Sequence, residues 1–480
     1  MGDGLMDVMT KTVAEWAVAI RQGDVSSFDV VARHLEQIAA HNVDGMGIRA
    51  VIEVNPEALL EAEARDRERQ SGFLRGPLHG VPVLVKDNLD TADAMQTTAG
   101  SLALEGHRAR EDAEVVRRLR AAGAVIVGKA NLTEWANFLS DHMPNGYSSR
   151  GGQTLNPYGP GRFDVGGSSS GSGAGVAAGF APAAIGTETS GSILSPASAN
   201  SLVGLKPTLG MVSRRGIIPI AMSQDTAGPM ARTVGDAALL MSVIAGPDPR
   251  DVATQGVRWP AREDWLALRR GALQGARIGV PQAYLEGIPD DERRVFDRAL
   301  SELGELGADV IACDLPKREF DFDVLVAEFP AALNAYLATV EPWLPVHSLG
   351  DVMAWNAQHA YRALRYGQAV FERAQAQRHH HLADGAYIRA RLRDLRESRQ
   401  AGIDAVLAAH RLDALAFVNY YGCAIAAKAG YPSITVPAGY TEEAKPVGLT
   451  LTGTAYSDVR LCQLAYDYEQ ATNHRRPPAM

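Results

Sequence analysis

Cysteine is scarce: Cys313, Cys423 and Cys462 are the only three in 480 residues. They are too few and too scattered for a disulfide framework or a zinc site, and a reducing, cytoplasmic setting is expected. A long apolar run is also missing. The longest, over 176–185, is interrupted by Gly179 and Pro182, whereas a membrane-spanning helix needs about 20 apolar residues. The first residues carry Asp3 and Asp7 and no apolar segment of the kind that directs export. Excess positive charge is absent too, since 47 Lys and Arg against 56 Asp and Glu leave a net charge of −9. Neither nucleic acid nor a membrane surface is therefore an expected partner.

What the chain does have is a globular composition, 46% hydrophobic and 21% charged, which excludes a disordered or fibrous class. Apolar residues recur with helical spacing over 12–41, broken by turn chemistry at 24–27, and 56–70 reads as a charged surface helix. Val81, Val83, Leu84 and Val85 follow Gly80 and predict a buried strand over 77–86, with Lys86 at its C-terminal end. Residues 112–123 read as a helix closed by Gly123, followed by a strand at 124–127. The same helix–glycine–strand unit recurs over 295–311 around Gly307, and 433–436 is a further strand. Such alternation predicts an α/β architecture with a largely parallel or mixed sheet. Residues 255–405 are charged, helix-forming and aromatic-bearing, and read as an insertion that shapes a substrate entrance.

Two small-residue stretches carry the chemistry. The segment 144–175, rich in Gly, Ser, Asn and Pro, reads as a long shaped loop. Within it, 166–175 (Gly-Gly-Ser-Ser-Ser-Gly-Ser-Gly-Ala-Gly) allows close backbone approach and converging N–H groups. A flexible linker, a nucleotide-phosphate loop and an active-site serine loop all compete. The apolar run that follows speaks against the linker, and the lack of a preceding strand speaks against the phosphate loop. The second stretch, 186–193 (Gly-Thr-Glu-Thr-Ser-Gly-Ser-Ile), sets a serine in a turn. The backbone N–H groups of 189–191 are expected to be free to meet one oxygen, as an oxyanion hole requires; a plain Ser/Thr turn is the alternative. Gly123 to Lys129 matches the phosphate-loop glycines and lysine, but its middle is a strand and Ala130 replaces the Mg²⁺-binding hydroxyl.

A serine nucleophile needs a base, and no Gly-x-Ser-x-Gly elbow with a following Asp and His is present. His79 and Lys86 are the candidates. Burial lowers a lysine's pKa from about 10.4, toward a value where the neutral amine accepts a proton. A strand-end lysine reaching solvent is the alternative for Lys86. The run His379-His380-His381 reads as surface, because consecutive helical residues do not share a face. The cysteines read as apolar fillers.

Together these stretches resemble the amidase signature family of Ser–Ser–Lys hydrolases. The matching motifs are 76–88 (Gly-Pro-Leu-His-Gly-Val-Pro-Val-Leu-Val-Lys-Asp-Asn), 97–101 (Thr-Thr-Ala-Gly-Ser), the Gly/Ser segment, 186–193, 204–208 (Gly-Leu-Lys-Pro-Thr), 223–229 (Ser-Gln-Asp-Thr-Ala-Gly-Pro), 429–433 and 446–449. The match is weakest over 255–405. The resemblance implies one large α/β domain over 1–480, with a central mixed sheet covered by helices on both faces. Residues 70–250 and 405–480 would form its core, and 255–405 a helical insertion. It implies Ser192 as nucleophile, Ser168 as bridging serine after a cis peptide bond, and Lys86 as neutral base. Thr189, Ser190 and Gly191, with the Ser192 amide, would form the oxyanion loop. Ser169 and Glu188 would support these groups. It also implies hydrolysis of amide C–N bonds through an acyl-enzyme, with no metal or other cofactor.

The chain departs from the common pattern at Glu188, Ser190 and Leu194, where many members have Asp, Gly and Arg. The wording of 186–193, 132–138 and 152–157 is most similar to the bacterial peptide-amidase branch, which removes C-terminal amides from peptides. Trp135, Phe138, Tyr147 and Tyr420 are the expected pocket residues. Trp343, Trp355, Tyr361 and Tyr366 are further aromatic candidates, with packing inside the insertion as their alternative role, and Tyr421 stands beside Tyr420 as another. No Lys or Arg cluster marks an anionic substrate, so a small neutral amide is expected, taken by a monomer or homodimer. The alternatives are an aryl acylamidase or carbamate hydrolase, an amidotransferase-type subunit that needs partner chains, and a non-enzymatic binder on the same scaffold.

Overall fold

The computed structural model describes residues 8–317, 322–377 and 382–480. In chain order the strands are β1 (Val51–Val54), β2 (Pro82–Lys86), β3 (Val125–Ala130), β4 (Tyr147–Ser148), β5 (Gly152–Gln153), β6 (Ala183–Glu188), β7 (Val203–Lys206), β8 (Thr226–Ala231), β9 (Arg277–Pro281), β10 (Asp309–Cys313), β11 (Ala414–Val418), β12 (Ser433–Tyr440) and β13 (Pro446–Thr452). Among the described residues, eleven of them form one sheet in the order β1-β3-β2-β6-β8-β7-β12-β13-β11-β9-β10, and β4 and β5 pair separately. β2 runs parallel to β3 and β6, while β6, β8, β7, β12, β13 and β11 are successively antiparallel. This is the expected mixed α/β sheet.

Strand periodicity explains why both faces are covered. Val83, Val85, Ile126 and Ile185 enter one apolar cluster; Leu84, Val125, Val127 and Ala184 enter another on the opposite face. The first face is covered by helices Val13–Gln22, Glu114–Ala121, Val234–Ile244, Asp290–Glu305 and Asp458–Thr472, and the second by Ser27–His41 and Ser170–Ala177. Each fully buried Val or Leu contributes about 1.5–3 kcal/mol. Gly123 and Gly307 end their helices at φ 95° and 93°, as the helix–glycine–strand units predict.

The Gly/Ser segment differs from the expected loop. It is loop only up to Ser169, and Ser170–Ala177 is an α-helix buried along its whole length. Gly and Ser are poor helix formers, each costing about 0.5–1 kcal/mol relative to Ala, but here packing overrides propensity. A Cβ on Gly171 would lie 2.3 Å from the Ala50 carbonyl oxygen, and one on Gly175 would lie 2.9 Å from Leu84 Cδ1. Only small residues let this helix reach the sheet. The apolar run after it divides into the helix end, a turn at Gly179 (φ 77°) and β6.

Residues 255–405 also divide. β9, β10 and helix Asp290–Glu305 belong to the main sheet and its cover. A helical layer begins at Asp323–Leu337 and runs through Gly385–Ser398. Its Leu325, Phe329, Leu333 and Phe371 share a core with Leu132, Trp135, Phe138 and Ile220 from loops around the sheet. His379–His381 lie outside the described residues. Among the described residues, no helix is long and apolar enough to cross a membrane.

Candidate active site

Lys86 ends β2, two residues beyond Leu84, and so faces the side on which helix Ser170–Ala177 lies. The turn just before that helix presents Ser168. Lys86 Nζ donates to Ser168 Oγ at 2.7 Å, to Thr187 Oγ1 at 2.9 Å and to the Thr187 carbonyl at 3.3 Å. Lys86 and Ser168 are fully buried. Burial pushes the Lys86 amine down to about 7, against the raising pull of Glu188 and Asp225. The Gly167–Ser168 peptide bond is cis.

Ser192 is 8% exposed, and its carbonyl accepts the Ser169 amide at 3.2 Å. This bond ties the Ser192 turn to the Ser168 turn. Ser169 Oγ donates to the Thr187 carbonyl at 3.0 Å and accepts the Thr187 amide at 3.2 Å. Ser169 therefore supports Lys86 through Thr187 and not by direct contact.

The turn itself is built on Glu188. Its carboxylate accepts the amides of Gly191 at 2.7 Å, Ile193 at 2.8 Å and Leu194 at 3.1 Å. The expectation that every N–H over 189–191 is free is corrected here. The Gly191 N–H is aimed at Glu188, because the carboxylate stands inside the turn. The N–H groups of Thr189, Ser190 and Ser192 have no protein partner among the described residues. Gly191 has φ 82°, and a Cβ there would lie 3.0 Å from Cys423 Sγ and 3.4 Å from Tyr420 Cδ2. The turn thus needs glycine for both conformation and space.

Other groups emerge only from the structure. Asp225, within 223–229, accepts the Thr189 hydroxyl at 2.6 Å and the amides of Ile220 and Ala221 at 2.9 and 3.0 Å. Burial raises its pKa to about 6. Gln224 Nε2 donates to the Thr189 carbonyl at 3.1 Å, and Asn88 Nδ2 to Thr187 Oγ1 at 3.0 Å. These residues lie inside the family motifs, and that membership was the available signal. The Cys423 thiol, 3.9 Å from Ser190 Oγ, is pushed up to about 12 by burial. It is a packing group of low nucleophilicity.

The aromatic candidates separate. Tyr420 stands against the Ser192 turn. Trp135 and Phe138 are buried, their rings packed on Phe371 at 5.5 Å and Phe329 at 4.7 Å. Their expected place on an open pocket wall is corrected: the helical layer covers them. Tyr147 is half-buried against Tyr366, with ring centroids 4.9 Å apart. Trp343 and Tyr361 are 74% and 99% exposed, and Trp355 stacks on His359 at 4.0 Å. Tyr421 packs beside Tyr420 at 5.4 Å. His79 is buried away from the site, bonded to the Arg65 carbonyl and the Arg75 amide. Lys129 is fully buried in β3, donating to the Leu89 carbonyl at 2.7 Å and Thr97 Oγ1 at 2.8 Å, so no phosphate loop exists there.

A family model described as Amidase matches residues 29–462. The chain belongs to the amidase signature family. It is an enzyme of that family, a hydrolase of C–N bonds. It is 39% identical to a probable amidase of Arabidopsis thaliana over 98% of this chain and 92% of the relative. It is 36% identical to a glutamyl-tRNA(Gln) amidotransferase chain of Symbiobacterium thermophilum, over 94% of this chain and 95% of that one. The crystal structure of a peptide amidase from Stenotrophomonas maltophilia is similar at 47% identity, with a TM-score of 0.92 and 98% of each chain covered.

Proposed function

We propose that this amidase hydrolyses neutral carboxamides, with the C-terminal amides of peptides as its substrate class, through Ser192, Ser168 and Lys86. One observation carries the reading: a fully buried lysine amine, depressed to about 7, bonded at 2.7 Å to a buried serine hydroxyl beside a second serine turn. An amine neutral near pH 7 is a usable base, whereas a solvent lysine is not. Neutral Lys86 takes the Ser168 proton as Ser168 takes that of Ser192. Ser192 Oγ then bonds to the amide carbon. The carbonyl oxygen becomes an oxyanion that the N–H groups of Thr189, Ser190 and Ser192 receive. Collapse breaks the C–N bond, the relayed proton passes to the leaving nitrogen, and ammonia departs. Water, deprotonated by the same relay, releases the acid and restores Ser192. The likeness to a solved peptide amidase at 47% identity supports the peptide-amide class.

The test is ammonia and arylamine release from an amidated dipeptide, an aryl carboxamide, a nitroanilide and an aryl carbamate, each with wild type and Ser192→Ala. Ammonia from the peptide amide, abolished in the variant, is expected. Preferred cleavage of the anilide or carbamate would overturn the substrate class while keeping the mechanism. Turnover only with added partner chains would favour an amidotransferase-type role.

A further inference from the structure

A cavity of about 160 Å³ lies where the segment before helix Val13–Gln22, the turn after β8 and the tail after helix Asp458–Thr472 meet. Thr10, Arg232, Thr233 and Arg475 are among the residues that line it. It stands at the far end of the sheet from the nucleophile turn. β6 and β8 pair antiparallel from Ala183 with Ala231 to Glu188 with Thr226. Arg232 and Glu188 are therefore separated by about 17 Å of strand.

Two arginines reach this cavity with unused donors. Arg232 is 2% exposed, and its terminal nitrogens donate to the carbonyls of Lys11, Val8 and Ala181, while its Nε is buried without a partner. Arg475 has both Nε and Nη2 buried and unpartnered. Those two N–H groups form the guanidinium edge that receives two oxygens of one anion. In Arg75, Arg117, Arg214 and Arg460 the same edge holds a carboxylate, from Glu68, Glu114, Asp251 and Asp413. No carboxylate meets Arg232 or Arg475 in this way among the described residues. Glu469 spends its oxygens on the Val234 amide at 2.8 Å and Gln470 Nε2 at 3.3 Å, and Asp236 spends its own on the amides of Val13 and Ala14 at 2.9 and 3.1 Å. Burial pushes Glu469 up to about 7 and Asp236 up to about 6, and burial with the nearby Arg475 charge pushes Arg232 down to about 9. Two cations thus share one small space without a facing anion, a costly arrangement.

We propose that this cavity binds one small tetrahedral dianion, of the phosphate or sulfate class, between the Arg475 edge and Arg232 Nε. The ion clamps the segment before helix Val13–Gln22 and the tail after helix Asp458–Thr472 to the turn after β8. A dianion matches two guanidinium charges, whereas a single carboxylate leaves one over. The volume suits a free ion and is too small for an ordinary organic ligand, which takes about 300 Å³ or more. The site is independent of the amide chemistry at the other end of the strands.

The experiment titrates phosphate, sulfate, acetate and chloride calorimetrically into wild type, Arg475→Gln, Arg475→Lys and Arg476→Gln. Ionic strength is matched, the pH is mildly alkaline so that phosphate is a dianion, and thermal unfolding is followed in the same solutions. One phosphate or sulfate per chain is expected to bind wild type and raise its Tm by mass action, with acetate and chloride about tenfold weaker or more. Arg475→Gln is expected to weaken phosphate about tenfold or more. Arg475→Lys keeps the charge but not the two-donor edge, and is expected to weaken it as well; should the glutamine variant not fold, the lysine variant carries the comparison. Arg476 is the exposed neighbour, its guanidinium over the Tyr440 ring at 5.1 Å, and Arg476→Gln is expected to bind as wild type does. No phosphate heat and no gain in Tm over chloride would overturn the site, as would phosphate binding unchanged in both Arg475 variants. Acetate binding as tightly as phosphate would overturn the dianion.

Discussion

Lys86 acts as a base only while it is neutral, so the pH dependence of catalysis should report it. Its amine sits near 7 because burial disfavours the charged form. The protonated lysine predominates below that pH and cannot accept the Ser168 proton, so kcat/KM is expected to fall on the acid side and reach a plateau above it. A profile flat to pH 5 would remove Lys86 from the role. Replacing Lys86 by alanine should lower kcat by about 10²–10⁴, the range of a lost general base, with little change in circular dichroism. Thr187→Val tests the environment of the amine. Thr187 Oγ1 accepts from Nζ at 2.9 Å, which favours the charged form. Its loss should move the acid limb of the profile to lower pH, a shift that a merely structural defect would not produce.

The Ser192 turn and the Ser170–Ala177 helix are where local rules and packing conflict. Glu188 collects three amides, and a glutamine offers only one acceptor oxygen for them. Glu188→Gln should cost about 1–3 kcal/mol in denaturant unfolding and lower kcat more than it raises KM. Gly171→Ala adds helix propensity but drives a Cβ to 2.3 Å from the Ala50 carbonyl. Overpacking should win by about 1–3 kcal/mol or more, seen as a lower urea midpoint. A stabilised variant would show that the close approach of helix and sheet is relieved by a small shift. The sequence made the Ser170–Ala177 helix look like a loop, because propensity carries no information about what a glycine helix is pressed against.

In the whole molecule, the helical layer shares its core with loops around the sheet. Phe329, fully buried, packs on Phe138 at 4.7 Å and Phe371 at 5.3 Å, joining the layer to loops that surround the sheet. Phe329→Ala should cost about 3–5 kcal/mol, and calorimetry should record one transition at a lower temperature. Two separated transitions would mean that the layer unfolds independently. The same packing explains why aromatic residues misled at this scale. Trp135 and Phe138 were legible as large apolar groups near the motifs, yet nothing local distinguishes a ring facing a substrate from one facing another helix.

Sequence by itself determined what depends on short-range order. The alternation of helix and strand, the glycine stops, the buried strand ending in Lys86 and the small-residue turns at Ser168 and Ser192 follow from local sterics, periodicity and ordered motifs. Tertiary structure decided what depends on groups far apart in the chain. It joined Lys86, Ser168 and Thr187 around one amine, claimed the Gly191 N–H for Glu188, set Asp225 under Thr189, and buried Trp135 and Phe138. Hydrogen bonds and desolvation act over a few ångströms of space, and the fold alone sets which residues share those few ångströms.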